Sequence, residues 1–540
     1  MRSFFDDTGT VFDLGLAGLV AGREDIHRDP GGFLALDDPG PGVAVLSGGG
    51  SGHEPLHAGF LGRGMLAAVC PGRVFTSPNA RQILAATRAV DRGAGVLHVV
   101  KNYTGDVMNF GVAARLAAAE GIRVETVLVA DDLATSLGDS GGEGSGPGRR
   151  GTAATILVEK ACGAAAARGA DLDEVARVGR RVAAGAASLA VSVGGAGVPG
   201  GAGSLGLGAD EVEFGVGIHG ERGVERRNRR DIREAVADMV AAAHAAAGCP
   251  DRCLLLVNGL GGLAGLELSA ILGLAAGALA DRGARVARTM CGDFVTAWAM
   301  PGFSVTVLGV DDELLGLLDE PTTAPGWAAP ARWRGAAAPA ADGDPAPARA
   351  RGPVQAELTA WRDRVLAARD ELTELDRRAG DGDFGDNMAA ALGAVPSPLR
   401  GDLAGALGAL GESYLVHAGG TSGAVFGLFL STMAARAGAA AGPAEADLAA
   451  LARAGLDAVV DLGGARVGDG TVVDAIEPAV RALEEGAAPA AAAEAARAGA
   501  AATADLVAGK GRASYVGEAA RGVLDPGALV MAWFFEELAG

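Results

Sequence analysis

The chain has 540 residues, enough for roughly three or four compact units at about 150 residues each. Its 49% hydrophobic and 21% charged residues are an ordinary globular balance, able to bury large cores. A formal net charge of -20 disfavours nucleic acid and anionic membrane surfaces as partners, because like charge repels. An anionic small molecule can still bind where local cations or metal ions reverse the field. In the opening MRSFFDDTGT no basic stretch precedes an apolar run, so no signal peptide is expected. No run of about 18 apolar residues is free of Gly and charge, so no membrane span is expected either. The five cysteines (Cys70, Cys162, Cys249, Cys253, Cys291) are odd in number and scattered, as expected of reduced thiols and a cytoplasmic protein. Cys249 and Cys253 form a C-x3-C pair without a second pair, and read as two unrelated thiols. Lysine occurs only at 101, 160 and 510, so each one stands out.

Along residues 1–325, short apolar runs alternate with longer Ala/Leu-rich segments. GVAVLSGGG, GVLHVVKN, RVETVLVADD and RCLLLVNGLGG each read as a strand ending in a polar or Gly turn. The stretches 151–168 and 231–247 read as helices. Strands alternating with helices predict an α/β architecture, with the turns at the carboxyl ends of the strands, where open sheets place ligands. The run 321–353 is rich in Pro, Ala and Gly and has no periodicity, which places a linker at 326–353. From 354 to 540 the pattern is helical throughout. Leu358, Trp361, Val365, Leu366, Leu372 and Leu375 share helical spacing, and 402–416, 423–437, 445–462, 472–486, 489–507 and 527–538 read likewise. An all-α unit is expected there, with its polar motifs in the connections.

Several motifs can carry chemistry. Asp376, Asp381 and Asp383 fall in ELDRRAGDGDFGDNM after a helix. Converging carboxylates at about 4 Å repel by roughly 4 kcal/mol per pair at an effective dielectric near 20, and a hard divalent cation such as Mg²⁺ relieves this. Position 12 counted from Asp381 is Leu392, and from Asp376 it is Asn387, so neither start gives an EF-hand. The same spacing also suits a solvated acidic turn. HAGGTSGAVFG, at 417–427, can offer a helix N-terminus to phosphate or be a simple cap. No G-x-x-x-x-G-K-[ST] occurs. In the first half, SGGGSGHEP (47–55) carries Gly48, Gly49, Gly50, Gly52 and His53. KNYTGDVMNFG (101–111) carries Lys101 and Asp106, and FGVGIHGERG (214–223) carries His219. A single His in such a loop is often structural; two with a Lys and an Asp at loop positions point to a site. LLLVNGLGGLA (254–264) has the strand-turn-helix layout of a dinucleotide loop, but ARVARTM, the next strand, ends without the acidic residue a ribose needs.

These motifs, in order, resemble the dihydroxyacetone kinase family in its fused, single-chain, ATP-dependent form. The first half resembles the substrate-binding domain through GGGSGHEP, TSPNA, KNYTGDVMNFG, GRRGTA, GVGIHGE, VNGLGG and GFSVTVL. The second half resembles the nucleotide domain through GDGDFGDNM, GGTSGAVFG, VGDGTVVDA, GRASYVGE and DPGA. The resemblance implies an α/β ketose-binding half of two subdomains (1–325) and an eight-helix barrel that binds ATP (354–540). It implies phosphorylation of dihydroxyacetone or a related small ketose, held as a covalent hemiaminal on His219, with His53 and Asp106 as acid/base residues. Lys101 and the amides of Gly50, Ser51 and Gly52 would hold substrate oxygens. Asp376, Asp381 and Asp383 would bind two Mg²⁺ ions. Phe384, Gly385, Asp386, Asn387, Thr421, Ser422, Gly468, Arg512, Asp525, Pro526 and Gly527 would contact the nucleotide. A homodimer is implied, in which one subunit's nucleotide domain serves the other's substrate domain. Alternatives within the resemblance are a four-carbon erythrulose-type kinase and cleavage of FAD to a cyclic flavin phosphate. Phe384 stands where many members carry a small polar residue or His, ERG at 221–223 replaces the usual EPG, and NGLGGLA and TAWAMPGFS differ from commoner versions.

Overall fold

Burial on both faces explains the near-continuous apolar runs of the first half. In the computed structural model, which describes residues 4–137, 148–198, 205–228, 231–335, 352–440, 447–511 and 513–540, these runs pair into two sheets. The chain divides into two units, Met1–Pro339 and Ala340–Gly540. Residues 336–351 of the expected linker lie outside the described residues.

The first sheet contains β1 (Ile26–Arg28), β2 (Leu34–Leu36), β3 (Ala44–Ser51), β4 (Ala68–Val74), β5 (Val96–Lys101) and β6 (Val124–Val129). Its spatial order is β1-β2-β4-β3-β5-β6, and the four strands β4, β3, β5 and β6 run parallel. Helices Ala80–Val90 and Thr104–Ala119 bury one face through Ile83, Leu84, Phe110 and Ala113. Helices Ala154–Ala167 and Leu172–Gly185 bury the other through Leu157, Ala161, Val175 and Val182. With both faces covered, β3 and β5 are buried at every position, so alternation is lost and only the apolar run remains as the strand signal.

The second sheet contains β7 (Ala186–Ser192), β8 (Glu211–Phe214), β9 (Glu225–Asn228), β10 (Arg252–Gly259), β11 (Arg285–Gly292) and β12 (Gly302–Gly309). Its order is β11-β10-β12-β7-β8-β9, and only β10 and β11 are parallel. Helices Ile232–Ala246 and Gly265–Ala280 cover one face. Leu254, Leu256 and Met290 of this sheet share one core with Leu97, Val127 and Val129 of the first. The two sheets therefore fold around common apolar contacts and hold their loops in fixed register.

One local difference from the sequence reading matters for the site. Gly48, Gly49 and Gly50 are not a loop: they continue β3, paired with Cys70, Pro71 and Gly72 of β4. Glycine is required there by crowding. A Cβ at Gly48 would lie 2.5 Å from the Cys70 carbonyl oxygen, at Gly49 2.0 Å from Lys101 Nζ, and at Gly50 2.7 Å from the Thr76 amide.

The second unit is helical: among its described residues there is no strand, and one isolated bridge pairs Val354 with Arg400. The Asp402, Asp447 and Asp525 side chains cap helices Leu403–His417, Leu448–Gly463 and Pro526–Leu538 by accepting from backbone amides three residues on. Trp361, Tyr414, Phe426, Phe429, Phe534 and Phe535 fill the core. Two boundaries differ from expectation. The helix read across 356–379 is two helices, Ala356–Ala367 and Arg369–Ala379, interrupted at Ala368. The Gly-punctuated segment after Asp383 is itself a helix, Phe384–Gly393, which buries Met388, Ala391 and Leu392. Among the described residues no helix is long and apolar enough to cross a membrane.

Candidate functional site

In the first unit, the carboxyl ends of β3 and β5 and the loops of the second sheet bring the expected residues together. His53 is fully buried. Its Nδ1–H donates to the Thr296 carbonyl (2.8 Å), so Nε2 carries the lone pair, and it has no partner among the described residues. The ring stacks on Phe75 (centroids 5.0 Å apart) and meets His219 edge-on at 4.7 Å. His219 also packs edge-on against Phe75 at 5.4 Å and Tyr103 at 4.7 Å. Phe75 and Trp298 adopt positive φ (54° and 49°), an unusual conformation for bulky residues, and their rings close over Gly52.

Glu221 clamps His219 twice: Oε2 accepts its backbone amide (2.9 Å) and Oε1 accepts Nδ1–H (3.0 Å). With Nδ1–H so held, a neutral ring carries its lone pair on Nε2. Burial opposes charge on Glu221, but the His219 hydrogen bond and the Arg150 guanidinium outweigh it and hold the carboxyl down at about 2. Arg150 is fixed in turn by Asp132 (2.6 Å) and the Gly215 carbonyl (2.8 Å). Burial, foremost, and the Lys101 ammonium nearby hold His53 well below the ordinary histidine range, so it is neutral.

Lys101 ends β5 fully buried. Its Nζ lies 2.9 Å from His57 Nε2, 3.4 Å from the Gly48 carbonyl and 3.6 Å from Asp106 Oδ2. Asp106 stands in the first turn of helix Thr104–Ala119, where the helix dipole favours a carboxylate. Its Oδ1 is buried without a partner among the described residues, as is the Tyr103 hydroxyl. Buried polar atoms left open are costly unless a ligand or water completes them. Gly50 and Ser51 lie in β3, and the Gly52 amide donates to the Glu54 carboxylate at 2.9–3.1 Å. Gly52 is thus already engaged, unlike the free amide expected of it.

In the second unit a cavity of about 680 Å³ is lined by Asp376, Asp381, Asp383, Phe384, Asn387, Thr421, Ser422, Asp525, Pro526 and Gly527. Each of the three aspartates offers an oxygen within 4.8 Å of the others, an all-oxygen set that fits a hard divalent cation such as Mg²⁺. Burial and the charges of Asp376 and Asp386 raise Asp383 above the usual carboxyl range. Asp376 Oδ2 also accepts the amides of Asp383 (2.9 Å) and Phe384 (3.1 Å), which starts the unexpected helix and fixes the acidic turn. The Phe384 ring is largely buried and packs towards Phe426 at 6.2 Å, and the residue lines the cavity.

The first turns of four helices line this cavity: Phe384–Gly393, Gly420–Ala439, Val472–Glu484 and Pro526–Leu538. Their amides and positive dipole ends suit phosphate. Only the second of these was legible as an anion site in the sequence. Three expected residues do not line the cavity. Gly385 is packed on the helix before it, where a Cβ would lie 2.2 Å from the Arg369 carbonyl oxygen. Asp386 is exposed and paired with Arg369 at 2.7 Å. The Gly468 amide donates to Asp474 at 2.6 Å. Arg512 lies outside the described residues. Lys510 and Tyr515 line the cavity and were not among the expected contacts; the sequence signals were the rarity of Lys510 as a lysine and the place of Tyr515 in GRASYVGE.

An α/β unit that gathers His53, Lys101, Asp106 and His219 around open polar atoms, and a helical unit with a cavity rimmed by carboxylates and helix N-termini, suit a two-unit kinase. Residues 17–326 match the Dak1 domain and residues 378–540 the DAK2 domain. The chain is 40% identical over 560 residues to Triokinase/FMN cyclase of Homo sapiens, covering 96% of each. It is 35% identical over 565 residues to L-erythrulose 1-kinase of Mycolicibacterium smegmatis, covering 97% of each. The dihydroxyacetone kinase from C. freundii, in a crystal structure with AMP-PNP and Mg2+, matches with a TM-score of 0.67 at 32% identity, covering 100% of this chain and 99% of that one. The chain belongs to the dihydroxyacetone kinase family.

Proposed function

We propose that this protein transfers the γ-phosphoryl group of ATP to a terminal hydroxyl of dihydroxyacetone or a closely related small ketose. The observation that carries the reading is His219, held by Glu221 through Nδ1, beside His53 Nε2 and Asp106 Oδ1, which have no partner among the described residues. Addition of Nε2 to the ketone forms a C–N bond and moves the carbonyl electron pair onto oxygen. The Glu221 carboxylate stabilises the positive charge that develops on the ring. The Lys101 ammonium is suited to donate to the developing alkoxide, and the His53 Nε2 lone pair to accept from a substrate hydroxyl. Asp106 accepts the proton of the attacking terminal hydroxyl as its oxygen bonds to the γ-phosphorus and ADP departs. A polyol without a carbonyl cannot form the adduct and is excluded.

In the second unit Asp376, Asp381 and Asp383 would hold Mg²⁺, two ions in the family pattern. When bound, the metal neutralises phosphate charge that the carboxylates alone would repel. Thr421, Ser422 and Asp525 to Gly527 would position the nucleotide by helix amides. Within this reading 1–325 is the ketose-binding region, 326–353 the linker and 354–540 the ATP-binding region, with the helices of the latter closing as an eight-helix barrel. Transfer requires the two sites to meet, and a cytoplasmic homodimer serving them in trans is the arrangement we infer.

A coupled ADP-release assay with Mg·ATP tests this on dihydroxyacetone, erythrulose and glyceraldehyde. Turnover on a small ketose supports it, and none above background on any of them overturns it. The ratio of three- to four-carbon rates separates a dihydroxyacetone kinase from an erythrulose kinase. Identity to a relative named for FMN cyclase favours a second reading at the nucleotide cavity, cleavage of FAD to a cyclic flavin phosphate. Chromatography of FAD incubated with enzyme and Mn²⁺ decides it.

A further inference from the structure

Behind the ketose site lies a line of buried polar groups that the chemistry above leaves unused. Glu159 sits in helix Ala154–Ala167, where every residue from Ala154 to Ala165 is buried, and is itself 0% exposed. A carboxylate at such a position costs several kcal/mol unless it is paired. Its Oε1 lies 2.6 Å from His57 Nδ1, and its Oε2 has no partner among the described residues. His57, also buried, meets Lys101 through Nε2 at 2.9 Å. Ser47 Oγ lies 3.0 Å from the same Nδ1 and donates to the Val99 carbonyl at 2.8 Å.

Donor inventory fixes how this line is protonated. An ammonium has no lone pair, so a charged Lys101 donates to His57 Nε2, Nδ1 then carries the ring proton and donates to a Glu159 oxygen, and with Glu159 ionised the line is a paired ammonium and carboxylate. A second arrangement has the same number of protons: Lys101 as neutral amine, Nε2–H on the ring, and Glu159 protonated. Passing between them moves one proton from Lys101 to Nε2 and another from Nδ1 to Glu159, with no net charge entering the buried cluster.

We propose that Glu159 and His57 are positioning residues that set the protonation and direction of Lys101 at the ketose site. The inference rests on the kinase reading above. Burial pushes Glu159 up to about 8 while hydrogen bonding from Ser47 and the Lys101 charge pull it down, so the charge on Glu159 is coupled to the charge on Lys101. The groups facing Lys101 are His57 and His53 from the segment after β3, the Gly48 carbonyl from β3, and Asp106 from helix Thr104–Ala119. Of the two carboxylates, Asp106 is needed for the substrate hydroxyl. Glu159, reached only through His57, is left to balance the ammonium. Glycine at 49 leaves the room in which the amine lies.

Two measurements on the full chain test this. In ¹⁵N-histidine-labelled enzyme at neutral pH, His57 should resonate with Nδ1 protonated and Nε2 unprotonated; Nε2 carrying the proton would overturn the proposal. In Glu159→Gln the ammonium loses its buried counter-charge, so the alkaline limb of kcat/KM for the ketose should fall by about one pH unit or more. KM for Mg·ATP should not change, and Glu159→Asp should restore much of the profile. A folded Glu159→Gln enzyme with the wild-type pH profile also overturns it. If Glu159→Gln does not fold, the tautomer of the native His57 decides alone. Absence of ketose turnover in the native enzyme would instead refute the kinase reading, and the tautomer would still be read independently.

Discussion

The two candidate sites solve opposite problems. The ketose site is built from buried side chains already locked by protein partners: His53 by Thr296, His219 by Glu221, Lys101 by His57. Its few open atoms are polar and enclosed. The nucleotide cavity is wide, and in its acidic turn the Asp376 carboxylate accepts the backbone amides of Asp383 and Phe384. A neutral carbonyl compound can be held by fixed, buried polar groups without added charge. A triphosphate needs more positive charge than the single lysine lining that cavity supplies, so an open, all-oxygen rim suits it to metal.

The largest effect that would break this contrast is His219→Ala. It should lower kcat/KM for the ketose by about 10³-fold or more and abolish the covalent adduct in intact-mass spectra, with Mg·ATP binding unchanged. A persisting adduct would place the nucleophile elsewhere. Asp381→Asn should do the reverse, weakening Mg·ATP binding by at least about tenfold while the ketose adduct still forms. Titration calorimetry with and without Mg²⁺ reads it, and unchanged affinity would remove Asp381 from the metal set.

A smaller effect sharpens the role of Glu221. A hydrogen bond to a charged group contributes about 1.5–3 kcal/mol, so Glu221→Gln should cost roughly ten- to a hundred-fold in ketose kcat/KM. The Glu221 carboxyl is depressed in the folded chain from 4.5 to about 2. Its contribution to stability is present above pH 4.5 and lost as pH falls through 2. The native chain should therefore lose more stability on acidification across that window than the Gln variant, as denaturant melts at stepped pH will show. The smallest effect concerns folding alone. A Cβ at Gly499 would lie 1.9 Å from the Asp474 carbonyl oxygen, so Gly499→Ala should destabilise the helical unit by about 1–3 kcal/mol. Calorimetry should place the shift in that unit's transition and leave ketose adduct formation intact.

What was legible in the sequence were features written in local order: apolar runs at 44–51, 96–101, 124–129 and 252–259, the helical spacing after 354, and the motif residues His53, Lys101, Asp106, His219 and the three aspartates. Glu159 and His57 were not legible, because they lie 102 residues apart and resemble core-helix and loop residues until packing joins them. Glu221 was noted only as part of an altered motif; its grip on His219 is a matter of side-chain direction. The helix at 384–393 hid behind glycines that predict a turn, and its start depends on the Asp376 carboxylate from the preceding helix.

The sequence by itself determined the family and which motifs fall in which half, because residue type and local period survive without a fold. Only the tertiary structure decided which polar atoms are engaged and which are left open. It occupied the Gly52 amide, turned the glycine run into strand, and aimed four helix N-termini at one cavity. The reason is that hydrogen-bond satisfaction and close packing are properties of neighbours distant in the chain, and no local pattern encodes who those neighbours are.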